Sequence, residues 1–304
     1  MIKHLLTGEE FRKAEFEKLM DLSAKMKAER FSPNAVKPLA GKSIGMIFAK
    51  SSTRTRVSFE VGIHELGGHA LYLDQGKTQM GRGETVPDTA RVLSRYLQGI
   101  VIRTYKQSDV EGLAEHGTAS VINALTDDYH PCQALTDMFT IYEKLGRFEG
   151  VKMAYLGDGA SNMANSLMMA SRCAGIHFEI GAPEEYRPSA EVMKLDLGGT
   201  GTVSWTTDPA EAVKDADFIY TDVWVSMGFE KESADRIKIL EPYRVDMNLL
   251  NKAKKGAMVM HCLPAHRGEE ITDDVMESPN SIVFDEAENR LHVQKAIMTM
   301  LMGN

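Results

Sequence analysis

Ile44-Gly45-Met46-Ile47-Phe48-Ala49-Lys50-Ser51-Ser52-Thr53-Arg54-Thr55-Arg56 is an apolar run that stops at a cluster of hydroxyls and arginines. Ile44 to Phe48 reads as a buried strand. Val57 to Leu66 has helical periodicity and is closed by Gly67-Gly68, and a second apolar run, Ala70 to Leu73, follows. Strand, helix and strand within some thirty residues set the rhythm of an α/β fold. Downstream it continues as a helix at Asp88 to Leu97, a strand at Ile100 to Arg103, a helix at Val110 to His116 and a strand at Val121 to Ala124. Upstream, Thr7-Gly8-Glu9-Glu10 reads as a capping box for a helix running to about Arg30.

A helix from Ala134 to about Leu145, ended by Gly146, leads into a second series that opens with the strand Met153 to Leu156. Helices are expected at Met163 to Ala174 and Pro209 to Ala216. Strands are expected at His177 to Ile180, Phe218 to Thr221, Met258 to His261 and Ile282 to Phe284, before a closing helix from Ala287 to Met302. The chain is therefore predicted to be α/β, with two doubly wound parallel-sheet domains, 1–140 and 141–286, and a cleft between them. In such sheets ligands sit at the carboxyl ends of strands.

Composition narrows the function. Of 304 residues, 43% are hydrophobic and 26% charged, enough for more than one core, and the net charge of -8 argues against a nucleic-acid or anionic-membrane binder. The first residues lack the apolar core of a signal peptide and no stretch approaches a membrane span, which makes the cytoplasm the expected location. Cys132, Cys173 and Cys262 show no C-x-x-C spacing, so neither a disulfide framework nor a structural zinc site is expected. No repeat or low-complexity linker is present.

The residues that carry chemistry fall where strands end. Two arginines, Arg54 and Arg56, in a helix's first turn oppose the macrodipole unless an anion is bound there. Free N–H groups, the hydroxyls of Ser52 and Thr55 and a guanidinium fork match a phosphoryl group, although an ordinary serine cap with surface arginines fits the local sequence as well. Arg103 closes a strand, and His130-Pro131-Cys132-Gln133 precedes a helix, where Pro131 alone would be simple capping. His261-Cys262-Leu263-Pro264-Ala265-His266 follows an apolar run. Zinc on His261, Cys262 and His266 is disfavoured because no fourth ligand is evident. Asp222-Val223-Trp224-Val225-Ser226-Met227-Gly228 offers a carboxylate and a hydroxyl for an ammonium and backbone N–H groups for a carboxylate. Gly157-Asp158-Gly159-Ala160-Ser161-Asn162 occupies the position of a dinucleotide fingerprint without its spacing.

Taken in order, Ser52 to Arg56, Asp88 to Leu93, His130 to Gln133, Asp222 to Gly228, His261 to Pro264 and Glu286 to Arg290 resemble the motifs of the aspartate/ornithine carbamoyltransferase family across nearly the whole chain. The resemblance implies transfer of a carbamoyl group from carbamoyl phosphate to the δ-amine of ornithine, without metal or cofactor. It also implies a homotrimer or a multiple of trimers, and a final helix, 287–304, packing back on the first domain. Carried over by position, Ser52, Thr53, Arg54 and Thr55 would bind phosphate, while Arg103, His130, Gln133 and Arg290 would hold the carbamoyl end. Gln79 would reach a neighbouring subunit's site. Asn162, Asp222, Ser226 and Met227 would bind the amino-acid head of ornithine, and Cys262 and Leu263 would line the reaction centre. The catalytic set would be Arg54, Thr55, Arg103, His130 and Cys262. Rival readings are another amine acceptor (putrescine, N-acetylornithine or aspartate), a dinucleotide-dependent dehydrogenase, and a non-catalytic anion sensor.

Overall fold

A computed structural model describes residues 2–225 and 233–303. The chain divides into two compact units, Met1–Phe139 together with Asn289–Asn304, and Thr140–Glu288. In the first, α1 (Lys13–Ala28) precedes β1 (Ser43–Phe48), α2 (Thr53–Glu65), β2 (His69–Asp74), α3 (Val86–Leu93), β3 (Gly99–Arg103), α4 (Gln107–His116) and β4 (Ser120–Leu125). The chain passes to the second unit within α5 (Pro131–Leu145). There follow β5 (Lys152–Leu156), α6 (Asn162–Ala174), β6 (His177–Gly181), β7 (Thr202–Thr206), α7 (Pro209–Val213) and β8 (Phe218–Thr221). The series ends with α8 (Ser233–Leu240), α9 (Met247–Leu250), β9 (Met258–His261), α10 (Asp273–Met276) and α11 (Val283–Met302), which carries the chain back into the first unit.

Among the described residues the first unit holds a four-stranded sheet ordered β2-β1-β3-β4 and the second a five-stranded sheet ordered β7-β6-β5-β8-β9, with every pairing parallel. The inner strands are apolar almost throughout, as strands covered on both faces require: Ile44, Met46, Ile47 and Phe48 of β1 are all buried. In each sheet the order reverses once, between β1 and β3 and between β5 and β8. The carboxyl ends flanking those two switch points are where this architecture leaves a crevice for ligands.

Four expectations change. Thr7 to Glu10 does not cap α1. The Glu10 carboxylate instead gathers the N–H groups of Leu6, Thr7 and Gly8, a closed turn, and the helix starts at Lys13 with no side-chain cap on Arg12. Ile282 to Phe284 is not a strand. Only Ser281 bridges Val259, and α11 begins at Val283 with Asp285 and Glu286 in its first turn, which favours a helix over three apolar residues of ambiguous period. The helix expected over Pro209 to Ala216 stops at Val213, ahead of Asp215 in the left-handed region with φ 59°. β7 was not expected, since Thr202-Val203-Ser204-Trp205-Thr206 is an edge strand with only partial burial and no apolar run.

Candidate active site

The first unit assembles a cationic cluster at its switch point. β1 ends at Phe48, in register with Arg103 at the end of β3, so the loop opening α2 and the Arg103 side chain start from adjacent strand ends. Ser52 caps α2, its hydroxyl accepting the Thr55 N–H at 3.4 Å. The two arginines of that turn separate clearly. Arg56 stacks over the Tyr72 ring at 3.9 Å and pairs with Glu60 at 3.3 Å. Arg54 is half-buried, no acidic residue occupies the first turn, and among the described residues nothing pairs with its guanidinium. A cation at the positive end of a helix with no counter-charge is a prepared anion site.

Arg290, on α11 and only 4% exposed, donates to the buried Thr55 Oγ1 at 2.7 Å. Gly62 permits this approach: a Cβ there would lie 3.2 to 3.4 Å from Lys295, Met298 and Leu291 of α11. Because Thr55 Oγ1 accepts from Arg290, its own hydrogen is turned away, ready to be donated. His130 is buried just before α5, and its carbonyl accepts the N–H groups of Gln133 and Ala134. Burial, reinforced by the charges of Arg290 and Arg103, holds its imidazole well below the usual range, so it is a neutral ring beside two guanidinium groups. The neighbouring Cys132 is a core thiol whose pKa burial pushes up to about 12, which makes it inert.

That His130 shift makes a prediction for stability. The folded-state pKa lies below the ordinary 6.5, so the unfolded chain takes up the proton first as the pH falls, and stability declines below about pH 6.5. Melting temperatures measured from pH 7.5 to 5.5 should fall more steeply for wild type than for His130→Gln; equal slopes would contradict the buried neutral ring.

In the second unit, strand register again explains the grouping. Leu156 pairs with Thr221 and Thr221 with His261, so Gly157, Asp222 and Cys262 leave three adjacent strands at one level. Asp222 Oδ1 accepts from the Cys262 thiol at 2.9 Å and from the Val223 N–H at 2.8 Å. Burial nevertheless raises the Asp222 pKa above the ordinary carboxylate value, so the group lacks a full counter-charge. Ser161 caps α6 by accepting from Ala164 N–H at 3.1 Å and contacts the Tyr155 hydroxyl at 3.0 Å, leaving Asn162 as the first helical residue. Leu263 sits in the left-handed region at φ 57°, its N–H given to His261 Nδ1 at 2.9 Å.

Several supporting residues act on the site from other segments of the chain. His261 Nε2 bonds Glu270 at 3.1 Å, both fully buried, and Glu286 accepts the His261 backbone N–H at 2.9 Å. Asp222, His261 and Cys262 carry potential ligand atoms within 4.8 Å, yet both His261 ring nitrogens are already engaged, and His266 groups with Glu269 and Glu270 instead. Arg236 of α8 pairs with Asp158, donates to the Trp224 carbonyl and stacks on Tyr186 at 4.5 Å, tying the segments that lead to Asn162 and Asp222. Lys50, just past β1, is buried against Asp127 at 2.5 Å and over the Tyr105 ring at 4.2 Å. Gln79 is not brought to the Arg290 cluster. It is exposed on the turn after edge strand β2, its carbonyl accepting from Arg82 and Glu84. Ser226 and Met227 lie outside the described residues.

Two family models match this chain: the carbamoyl-P binding domain of aspartate/ornithine carbamoyltransferase over residues 3–143 and the Asp/Orn binding domain over 149–301. The chain belongs to the aspartate/ornithine carbamoyltransferase family. The family's carbamoyl-P binding domain thus covers Arg54, Arg103 and His130, and its Asp/Orn binding domain covers Asp222 and Cys262. The chain is 51% identical to the ornithine carbamoyltransferase of Oceanobacillus iheyensis, covering 99% of this chain and 95% of that one. It is 54% identical to the anabolic ornithine carbamoyltransferase of Pyrococcus furiosus over 87% of this chain and 85% of that one. A solved ornithine carbamoyltransferase from Pyrococcus furiosus superposes with a TM-score of 0.94 at 49% identity, covering 99% and 97% of the two chains. Among the described residues no helix is long and apolar enough to cross a membrane.

Proposed function

We propose that this protein transfers the carbamoyl group of carbamoyl phosphate to the δ-amine of L-ornithine, giving L-citrulline and phosphate. The observation that carries the reading is Arg54: a guanidinium at a helix N-terminus that has no counter-charge among the described residues, one residue from a threonine hydroxyl oriented by a buried arginine. The names of the relatives supply the acceptor.

In this reading Ser52, Thr53, Arg54 and the α2 N-terminus bind the phosphate, and Arg103, His130, Gln133 and Arg290 surround the carbamoyl group. The neutral δ-amine attacks the carbamoyl carbon, and the carbonyl oxygen becomes an oxyanion. The Thr55 hydroxyl, the Arg103 guanidinium and the N–H of neutral His130 meet that charge, and donors of this kind are worth roughly 3 to 4 kcal/mol each. The proton shed by the attacking amine passes to the phosphate oxygen as the C–O bond breaks, and Arg54 receives the leaving hydrogen phosphate dianion. Asp222 takes the α-ammonium of ornithine, supplying its carboxylate with the counter-charge it lacks, and Asn162, Ser226 and Met227 bind the rest of the amino-acid head. Cys262 and Leu263 line the reacting centre. A homotrimer in the cytoplasm, with Gln79 completing a neighbour's site, belongs to the same proposal.

Supplying carbamoyl phosphate with ornithine, putrescine, N-acetylornithine or aspartate tests it. Ornithine should give citrulline and phosphate in equal amounts and exceed the other three in kcat/KM. Preference for another amine, or no phosphate release with any, overturns the reading.

A further inference from the structure

At the carbamoyl end, the Gln133 side chain can present either a donor or an acceptor, because an amide can turn over at little steric change. Which face it shows decides what it reads. A carbamoyl group differs from an acetyl group of nearly equal size by its NH₂, and only an acceptor detects that difference.

The structure resolves the choice four residues further along α5. Asp137, fully buried, lies one helical turn from Gln133 and accepts its Nε2–H at 2.8 Å through Oδ1. With Asp137 Oδ1 as the acceptor of this pair, turning the Gln133 amide over would set two oxygens against each other at a fully buried position. Asp137 is C-terminal to Gln133, so the amide nitrogen is drawn down the helix. The carbonyl oxygen is the other arm of the planar amide, directed away from the atom that Asp137 holds.

We infer that Asp137 is a positioning residue: by fixing the Gln133 amide with its oxygen towards the substrate, it makes the site select carbamoyl phosphate over acyl phosphates that lack N–H donors. The inference rests on the carbamoyl-phosphate reading of this cluster.

The test compares the affinity of carbamoyl phosphate with that of acetyl phosphate as a competitor, in wild type and four variants. In Asp137→Asn the new amide can donate to Gln133 and turn it over, so carbamoyl phosphate should bind about 10- to 100-fold more weakly while acetyl phosphate changes little. Gln133→Glu with Asp137→Asn together restores an acceptor towards the substrate and a donor–acceptor pair in the core at unchanged net charge. Selectivity should return to within about threefold of wild type, a rescue that general damage to α5 would not show. Should Asp137→Asn fail to fold, Asp137→Ser removes the one-way acceptor while shrinking the side chain, and selectivity should again fall. Gln133→Ala separates the two readings. If it leaves carbamoyl phosphate affinity unchanged, the placement of the carbamoyl group is wrong. If it weakens binding but the folded Asp137 variants keep wild-type selectivity, the positioning role is overturned.

Discussion

Arg290→Met is expected to lower kcat/KM for carbamoyl phosphate by about 10³ or more, and to raise the pKa of His130 towards its ordinary value. Both effects have one origin. Arg290 is buried, donates to Thr55 Oγ1 at 2.7 Å, and is the foremost charge holding His130 neutral. Without it the Thr55 hydroxyl loses the bond that turns its hydrogen away from α11, and the oxyanion loses an aligned donor. The sign for His130 follows from Coulomb's law: a nearby cation disfavours the imidazolium, so removing the cation favours protonation. Burial still opposes the charged ring, and the shift is therefore partial. Methionine keeps most of the volume, so the α2–α11 packing through Gly62 should survive. Steady-state kinetics and an NMR titration of the His130 ring test the two halves separately. An unchanged His130 titration would mean that Arg290 does not set the field in this site.

Local motifs were legible in the sequence when the chemistry sat beside a strand end. Ser52, Arg54, Arg103, His130, Asp222 and Cys262 each follow or close an apolar run, and the parallel pairing brings them to the carboxyl edge of their own sheet. What sequence spacing left open was which arginine is available. Arg54 and Arg56 are equivalent in pattern, and only the positions of Tyr72 and Glu60 show that Arg56 is engaged. Residues that support the site from another element gave no local signal. Glu270 reaches His261 across a loop and Arg236 reaches Asp158 over 78 positions, while Arg290, which reaches Thr55 over 235, was indicated by the family resemblance alone. A short apolar run such as Ile282 to Phe284 has too few residues to distinguish period two from period 3.6, and the acidic first turn of α11 decided it.

Asp222→Asn should preserve the fold and carbamoyl phosphate affinity while lowering kcat/KM for ornithine by about 10² to 10³, the loss typical of removing one member of a buried charged hydrogen-bonded pair. Asparagine keeps the Oδ1 acceptor that Cys262 and Val223 use, at 2.9 and 2.8 Å, so the local hydrogen bonds remain. It discards only the charge, which burial already strains: the Asp222 pKa is raised because desolvation outweighs its hydrogen bonds and the nearby His261. An arriving ammonium relieves that penalty and draws the pKa down, so ornithine binding should strengthen as the pH rises through the free-protein value and release a proton below it. The Asn variant should lose this acidic limb. Putrescine supplies an amine for attack but no α-ammonium or α-carboxylate, and would leave the polar groups of the amino-acid head unpaired. Sites built to hydrogen-bond a missing group reject the analogue by about 10⁴ or more. In wild type the kcat/KM ratio of ornithine to putrescine should be of that order, and in Asp222→Asn it should contract because ornithine alone loses. A variant that keeps full ornithine turnover, or a wild type that prefers putrescine, would place the amino-acid head somewhere other than at Asp222.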